Sequence, residues 1–477
     1  MHTGRLISCC EGRQSDHCDL KATADTQTSM VYDSDSGTKM SLRSTIANPF
    51  QVSMIVSYSG QPVHLSYCTN IHAGDAWHDV FPTLQKQLPR VRAALGEKAA
   101  MGIGLRLSRS SLDTLEGSEA LADFRNWLAT ENFYVYTING FPYGRFHGER
   151  VKEDVYKPDW TEQSRVDYTC RLADLLCELS PPENYGSIST LPGTYKNWIM
   201  PGTVERISEN LIKAVAHCVR LKQHRGITIA LALEPEPCCL LETVAETVSF
   251  FKQHLFTDQA VTQLKALCGI NTSAAESALR EHIGVCYDVC HSAVEFEDPV
   301  KVISQLRSAE IEIVKIQLSS ALEIDRVNEE SLSHLSRFDE PVYLHQVIER
   351  RDKTLTVYND VRAAMTAFRN RFKPRSQLHP TLQMTINGDT GYPVQNISEP
   401  DTRWRIHYHV PVFIQKTDHF LTTQSSLAKV LSLQKQSAVS RHLEVETYTW
   451  DVLPEQYRQQ SVSDAIANEI RWIRERL

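Results

Sequence analysis

A (β/α)8 TIM barrel, an α/β fold, is what the sequence predicts, and three observations predict it. Short apolar runs alternate with amphipathic helical stretches from about residue 60 to the C-terminus. Several of those runs end in Asp, Glu, His or Asn, as barrel strands do at the face where the loops build a site. The alternation completes eight strand–helix units with a single long interruption, which suits right-handed crossovers closing a parallel sheet.

Val63–Cys68 reads as the first strand, and Asp75 as the cap of the amphipathic stretch Ala76–Leu95, which Gly96 stops. Met101–Leu107 is the second strand, with Arg106 at its end. Helix Ala120–Thr130 leads to the third strand, Phe133–Ile138. Ser187–Leu191 is the fourth, followed by a helix from about Val204 to Lys222. Gly226 separates that helix from the fifth strand, Ile227–Leu233. Helical pieces at Val244–Leu255 and Ala274–His282 precede the sixth, Ile283–Asp288. A helix over Pro299–Leu306 precedes the seventh, Ile311–Leu318. Residues 319–441 are too long for one βα connection. They hold helical stretches at Glu329–Leu335, Thr356–Phe372 and Gln424–Gln434, a Gly/Pro/Asn-rich passage at 387–401 and the strand-like Arg403–Phe413. His442–Thr447 is the eighth strand and Ser461–Leu477 the last helix. The domain reading is therefore a disordered N-terminal extension over 1–52 and a barrel domain over 53–477, with an insertion at about 319–420.

The totals narrow the function. The 477 residues are 42% hydrophobic and 23% charged, enough to bury a large core. A net charge of -8 and a pI near 6.1 speak against nucleic acid, which needs clustered Lys and Arg. The 12 cysteines form no paired CxxC sites. No apolar run reaches the roughly 18 residues of a membrane span, and no secretory leader is evident, so a cytoplasmic protein is expected. A phosphate-binding GxxxxGK[ST] loop and a GxSxG elbow are both absent from the sequence.

Candidate chemistry gathers at the strand ends. Glu234 follows the apolar run Ile227–Leu233 and is stiffened by Pro235 and Pro237; Glu236 lies one step further into the loop. Asp288 and His291 end the sixth strand, a D-x-x-H pair suited to a divalent transition metal. Cys290 between them reads as packing. On the eighth strand His442, Glu444 and Glu446 alternate onto one face, with Glu446 nearest the mouth. In the insertion, His407 and His409 share a face at i, i+2, close enough for two imidazoles to approach one metal or one anionic group. The loop Asn139–Gly148 joins three aromatics to Arg145 and His147, a shaped apolar wall with polar tips. Asn70, His72, Arg106, Asn139, Arg145, His147 and Lys315 are the candidate substrate-binding residues.

Gly284-Val285-Cys286-x-Asp288-x-Cys290-His291 resembles the strand-six motif of xylose-isomerase-like TIM barrels, a superfamily of sugar isomerases, epimerases and apurinic endonucleases. More specifically, His64–His72, Thr137–Gly144, Ser187–Pro192, His407–Pro411 and Glu444–Trp450 resemble the metabolite-traffic protein EboE family over roughly residues 60–477. The resemblance implies a metal-capable barrel in a system that handles a small secondary metabolite, with other proteins of that system as partners. In the superfamily a Glu after strand five, an Asp after strand six, a His after strand seven and a Glu after strand eight hold the ion. Glu234, Asp288 and Glu446 match three of those places, with Glu234 and Glu446 as catalytic carboxylates and His291 completing the ion's surroundings. The fourth place falls on Gln317, a poor transition-metal ligand. Either His407 or His409 folds back to replace it, or the metal is weak or absent. The implied cofactor is a divalent ion (Mn²⁺, Mg²⁺, Co²⁺ or Zn²⁺). Three functions stay open: isomerising or epimerising a small sugar-like metabolite, carrying one without catalysis, and metal-dependent phosphodiester cleavage of the apurinic endonuclease type.

Overall fold

The computed structural model describes residues 55–58, 61–116, 119–148, 150–371, 402–455 and 458–477. The extension at 1–52 and the passage at 387–401 lie outside them. Eight parallel strands form the barrel wall: β1 (Gln61–Tyr67), β2 (Met101–Arg106), β3 (Phe133–Asn139), β4 (Tyr185–Thr190), β5 (Thr228–Leu233), β6 (Ile283–Asp288), β7 (Ile313–Leu318) and β8 (His442–Val445). From β2 to β8 each strand pairs with the next, β8 also pairs with β1, and Ile55–Tyr58 adds an antiparallel edge to β1. The ring meets between β1 and β2 through one bridge, Cys68 to Gly104.

Gly104 sits at that seam for a steric reason. A Cβ there would lie 1.7 Å from Glu444 Oε1 and 2.9 Å from the Tyr67 carbonyl. Glu444 is fully buried and its Oε2 is 2.6 Å from Lys315 Nζ, so the space that Gly104 leaves open houses a buried ion pair. Gly104→Ala is expected to cost about 3 kcal/mol in urea unfolding, the upper part of the usual overpacking range. An unchanged midpoint would contradict this reading of the seam.

The insertion is a five-stranded antiparallel sheet in the order Thr354–Tyr358, Val347–Arg351, Thr402–Ile406, Leu322–Ile324, Leu421–Thr422. Trp404 is fully buried in it, and its Nε1 donates to Glu349 Oε2 at 2.9 Å. The apolar core runs on from the barrel into this sheet without a break. Five local expectations change. The stretch Thr356–Phe372 divides into a strand and the helix Val361–Arg371, because Asn359 and Asp360 turn the chain. The expected strand Arg403–Phe413 ends at Ile406, and the eighth strand at Val445, so His407, His409 and Glu446 stand beyond their ladders. Asp75 does not cap its helix; its carbonyl instead accepts from the Ser108 and Ser111 hydroxyls. Helix Gln163–Glu178 was not expected, since its polar residues mask the apolar stripe.

The last helix, Val462–Arg474, buries Glu469 against the insertion. Thr447 Oγ1 (2.6 Å) and the Val412 amide (3.0 Å) donate to its Oε1. Burial still raises the carboxyl from 4.5 to about 7. The unfolded chain ionises this group from pH 4.5 and the folded chain only near 7, so its contribution is present at low pH and lost between those values. Glu469→Gln is expected to leave stability unchanged at pH 4 and to add about 3 kcal/mol above pH 7. A gain of equal size at both pH values would contradict this.

Candidate metal centre at the barrel mouth

The strand tips deliver Glu234, Asp288 and Glu446 to one place, with one oxygen of each within 4.8 Å of the others. All three are buried. Glu234 follows β5, its amide donates to the Thr190 carbonyl at 3.0 Å, and its Oε2 has no hydrogen-bond partner. Glu446 follows β8, and its Oε1 accepts from Asn70 Nδ2 (2.8 Å) and Asn139 Nδ2 (3.0 Å). Asp288 ends β6 and caps the short helix Val289–Val294. Its Oδ1 accepts from Ser319 Oγ (2.7 Å) and the His291 amide (3.1 Å), while Oδ2 is buried without a partner. The D-x-x-H spacing is thus the geometry of a helix cap that leaves one carboxylate oxygen uncommitted.

Three imidazoles complete the cluster. His291 Nδ1 donates to the Pro235 carbonyl (2.9 Å), and His409 Nδ1 to the Glu446 carbonyl (2.7 Å). His407 Nδ1 donates to Gln346 Oε1 (2.7 Å), whose amide nitrogen is turned to the Pro237 carbonyl and Tyr156. A carbonyl oxygen only accepts, so each ring carries its proton on Nδ1 and leaves a lone pair on Nε2. Those Nε2 atoms converge, His291 to His407 at 3.0 Å and His407 to His409 at 3.2 Å. Asp288 Oδ2 is 3.9 Å from both His291 Nε2 and His409 Nε2. The histidines of the insertion do fold back to the mouth.

Electrostatics favour a bound cation. Burial, with the charge of Asp288, pushes the Glu234 carboxyl well above its usual range; burial, Glu234 and Asp288 do the same to Glu446. Burial lowers His409 to about 4 and His407 well below its usual value, so both are neutral. Uncommitted carboxylate oxygens and imidazole lone pairs packed together are the donor set of a divalent ion. Cys290 lies beside His407 and His409, but burial pushes its thiol well up, and it packs as a protonated side chain.

Other expected residues take different places. Gln317 is buried on the inner wall level with Asp288 and Glu444. Lys315 points inward below the cluster, where it pairs with Glu444 and reaches Ser189 Oγ at 3.2 Å, so it faces no substrate. Arg106 is 4% exposed and ties the Gly74 and Gly144 carbonyls together, a loop anchor rather than a substrate contact. Arg145 is exposed. His147 bridges the Asn70 carbonyl and Tyr343 Oη, and His72 contacts Tyr67 Oη at 3.0 Å. Asn70 and Asn139 reach the centre by holding Glu446.

Above the carboxylates lies a cleft with a cavity volume of about 50 Å³, room for a few waters or the reacting end of a small molecule. Phe141, Phe146, Tyr156, Tyr343 and Tyr448 wall it. Tyr343 and Gln346 come from the insertion, and nothing in their sequence surroundings announced them. Tyr448 was within reach of sequence reasoning, since it stands two residues past Glu446.

No family model matches the chain, and neither does any curated protein. Among solved structures it is similar to a xylose isomerase-like TIM barrel protein from Mycobacterium smegmatis in complex with magnesium, at 10% identity and a TM-score of 0.43, covering 86% of this chain and 95% of that one. It is also similar to the probable 3-DHS dehydratase AsbF of Bacillus anthracis, at 12% identity and a TM-score of 0.39, covering 85% and 97%. The IOLI protein with a bound zinc atom matches at 11% identity and a TM-score of 0.33, covering 54% of this chain and 73% of that one. At these identities the likeness concerns the fold and not the reaction. No described helix is long and apolar enough to cross a membrane.

Proposed function

We propose that the protein is a divalent-metal-dependent enzyme that isomerises or epimerises a small polar, sugar-like metabolite, within a metabolite-traffic system of the EboE kind. The observation that carries this reading is the meeting of Glu234, Asp288 and Glu446, the first two each with an unpartnered oxygen, at the floor of an aromatic-walled cleft. A bound ion would polarise a substrate oxygen and offset the negative charge of the three acids. The protein's own groups would handle the protons. Glu234, whose Oε2 is buried without a partner, would take a proton from a substrate carbon. Glu446, held through Oε1 by Asn70 and Asn139, would return one on the other side. Carboxyls raised above their usual range by burial suit both tasks. The aromatic walls would stack on the apolar face of a sugar ring and keep water out.

Two other readings meet the same test. The carrier reading drew on Gln317, and the imidazoles at the mouth weaken that support. Phosphodiester cleavage draws on the imidazole cluster, but the carboxylates facing the cleft repel an anionic backbone. Neutral ketoses and aldoses incubated in D₂O with Mn²⁺-loaded protein are expected to exchange the C–H beside their carbonyl for deuterium, read by NMR. Glu234→Gln is expected to lower that exchange 10²–10⁴-fold, the usual weight of a general acid or base. Full metal content with full exchange in Glu234→Gln would overturn the assignment. Binding without exchange would favour the carrier.

A further inference from the structure

We infer that the metabolite held at the barrel mouth carries an aliphatic arm behind a short polar head. The inference rests on the mouth being a site for a hydroxy-carbonyl compound, and it narrows that compound from a free sugar to a hydrophobically substituted one. The space over the three carboxylates, about 50 Å³, holds only the reacting end of a molecule. Whatever extends beyond that end lies along the wall of the cleft.

That wall has little to give to further hydroxyls. The Tyr156 hydroxyl donates to Glu236 Oε1 at 2.9 Å and accepts from Gln346 Nε2 at 3.0 Å. His147 Nε2 donates to the Asn70 carbonyl, so its Nδ1 accepts, and the Tyr343 hydroxyl donates to it at 2.8 Å. The Tyr448 hydroxyl faces His407 Nε2 at 3.5 Å. Lys152 Nζ is taken by Asp360 Oδ2 (2.7 Å) and the Glu340 carbonyl (3.2 Å). The amide nitrogens of Asn70 and Asn139 donate to Glu446, and Asn139 Oδ1 accepts from the Phe141 amide at 3.1 Å. Among these described wall groups, Asn70 Oδ1 is the one buried atom without a partner. A free sugar brings a hydroxyl on nearly every carbon. Each one buried here unpaired would cost more than a buried methylene returns.

Apolar surface is what the wall supplies instead. Phe146, Tyr343 and Tyr448 form a small apolar cluster of their own, with ring centroids 5.1 to 5.2 Å apart. Val155 and Leu344 continue it, since both line the cleft and both stay partly exposed. Val155 belongs to the barrel loop after β3 and Leu344 to the insertion, so an arm between them is gripped from two elements. The Val151 and Lys152 amides both donate to the Val342 carbonyl, at 2.8 and 2.9 Å, which fixes the two sides against each other. A preformed slot with apolar sides and polar groups at one end suits a ligand of the same polarity pattern.

The test is isothermal titration of the Mn²⁺-loaded full chain with the 6-O-methyl, 6-O-butyl and 6-O-hexyl ethers of fructose. Affinity is expected to rise about fourfold for each methylene that enters the slot. Leu344→Asn is expected to leave the methyl ether's affinity unchanged and to remove most of that rise. Val155→Asn, on the other side of the slot, serves as the second variant should the first fail to fold, and is expected to behave alike. Equal affinities for the methyl and hexyl ethers, no binding of the hexyl ether, or a rise that survives both variants would overturn the inference. The reaction is read separately, since Glu234→Gln is expected to lose deuterium exchange and keep the rise. A rise in wild type without any exchange supports the arm and contradicts the isomerase reading.

Discussion

The Asp288→Asn protein is expected to fold and to lose its divalent ion. The Asp288 carboxylate divides its labour between two oxygens. Oδ1 caps the helix Val289–Val294 and accepts from Ser319, and an Asn oxygen can do both. Asn and Asp are about equal as caps, so stability should change by only a few tenths of a kcal/mol. Oδ2 is the atom that faces the metal ligands, and in Asn it becomes an NH₂ group that cannot bind a cation. Affinity is expected to fall by more than the 10–100-fold seen when an outer-shell partner is lost, because a direct donor is removed. Isothermal titration with Zn²⁺ and Mn²⁺ reads the affinity, and thermal unfolding reads the fold. Asp288→Ala separates the two roles, since it should lose the metal and also about 1 kcal/mol of capping. Metal binding at wild-type strength in Asp288→Asn would contradict the assignment.

Stripping the ion is expected to destabilise the whole chain. A ligand present at a thousand times its dissociation constant adds about 4 kcal/mol to a protein that binds it only when folded. The folded protein without its ion must keep Glu234, Asp288 and Glu446 together in a dry site, with Lys315, already paired to Glu444, the cation beneath them. Protons partly relieve this, since the Glu234 and Glu446 carboxyls are raised well above their usual value by burial and mutual repulsion. Those protons must leave when the ion enters, so binding is expected to release protons and to weaken as pH falls. Calorimetry in buffers of different ionisation enthalpy measures the release. An apparent enthalpy that does not depend on buffer would contradict it.

Much of the site could be read from strand-end chemistry. Glu234 and Asp288 each follow an apolar run, and a barrel strand has only one end at which an acid can serve a mouth. The i, i+2 spacing of His407 and His409 announced two imidazoles on one face, with Tyr408 turned away to pack on Phe338 and His345. What the pattern could not carry was distance across the chain. That the insertion sheet lays these rings against β6 depends on contacts such as Trp404 with Glu349 and His407 with Gln346. Lys315 shows the opposite failure. A lysine on an inner strand reads as a substrate contact, yet Glu444, far away in sequence, neutralises it beneath the site. Arg106 was misjudged for the same reason, since its partners are backbone carbonyls that carry no sequence signature.

Anomalous scattering from crystals of the metal-loaded protein, recorded on either side of the zinc and manganese edges, tests the central claim most directly. The account expects a peak bonded to oxygens of Glu234, Asp288 and Glu446. A mouth that binds no metal under saturating Zn²⁺ and Mn²⁺, with the imidazoles still facing one another, would contradict it.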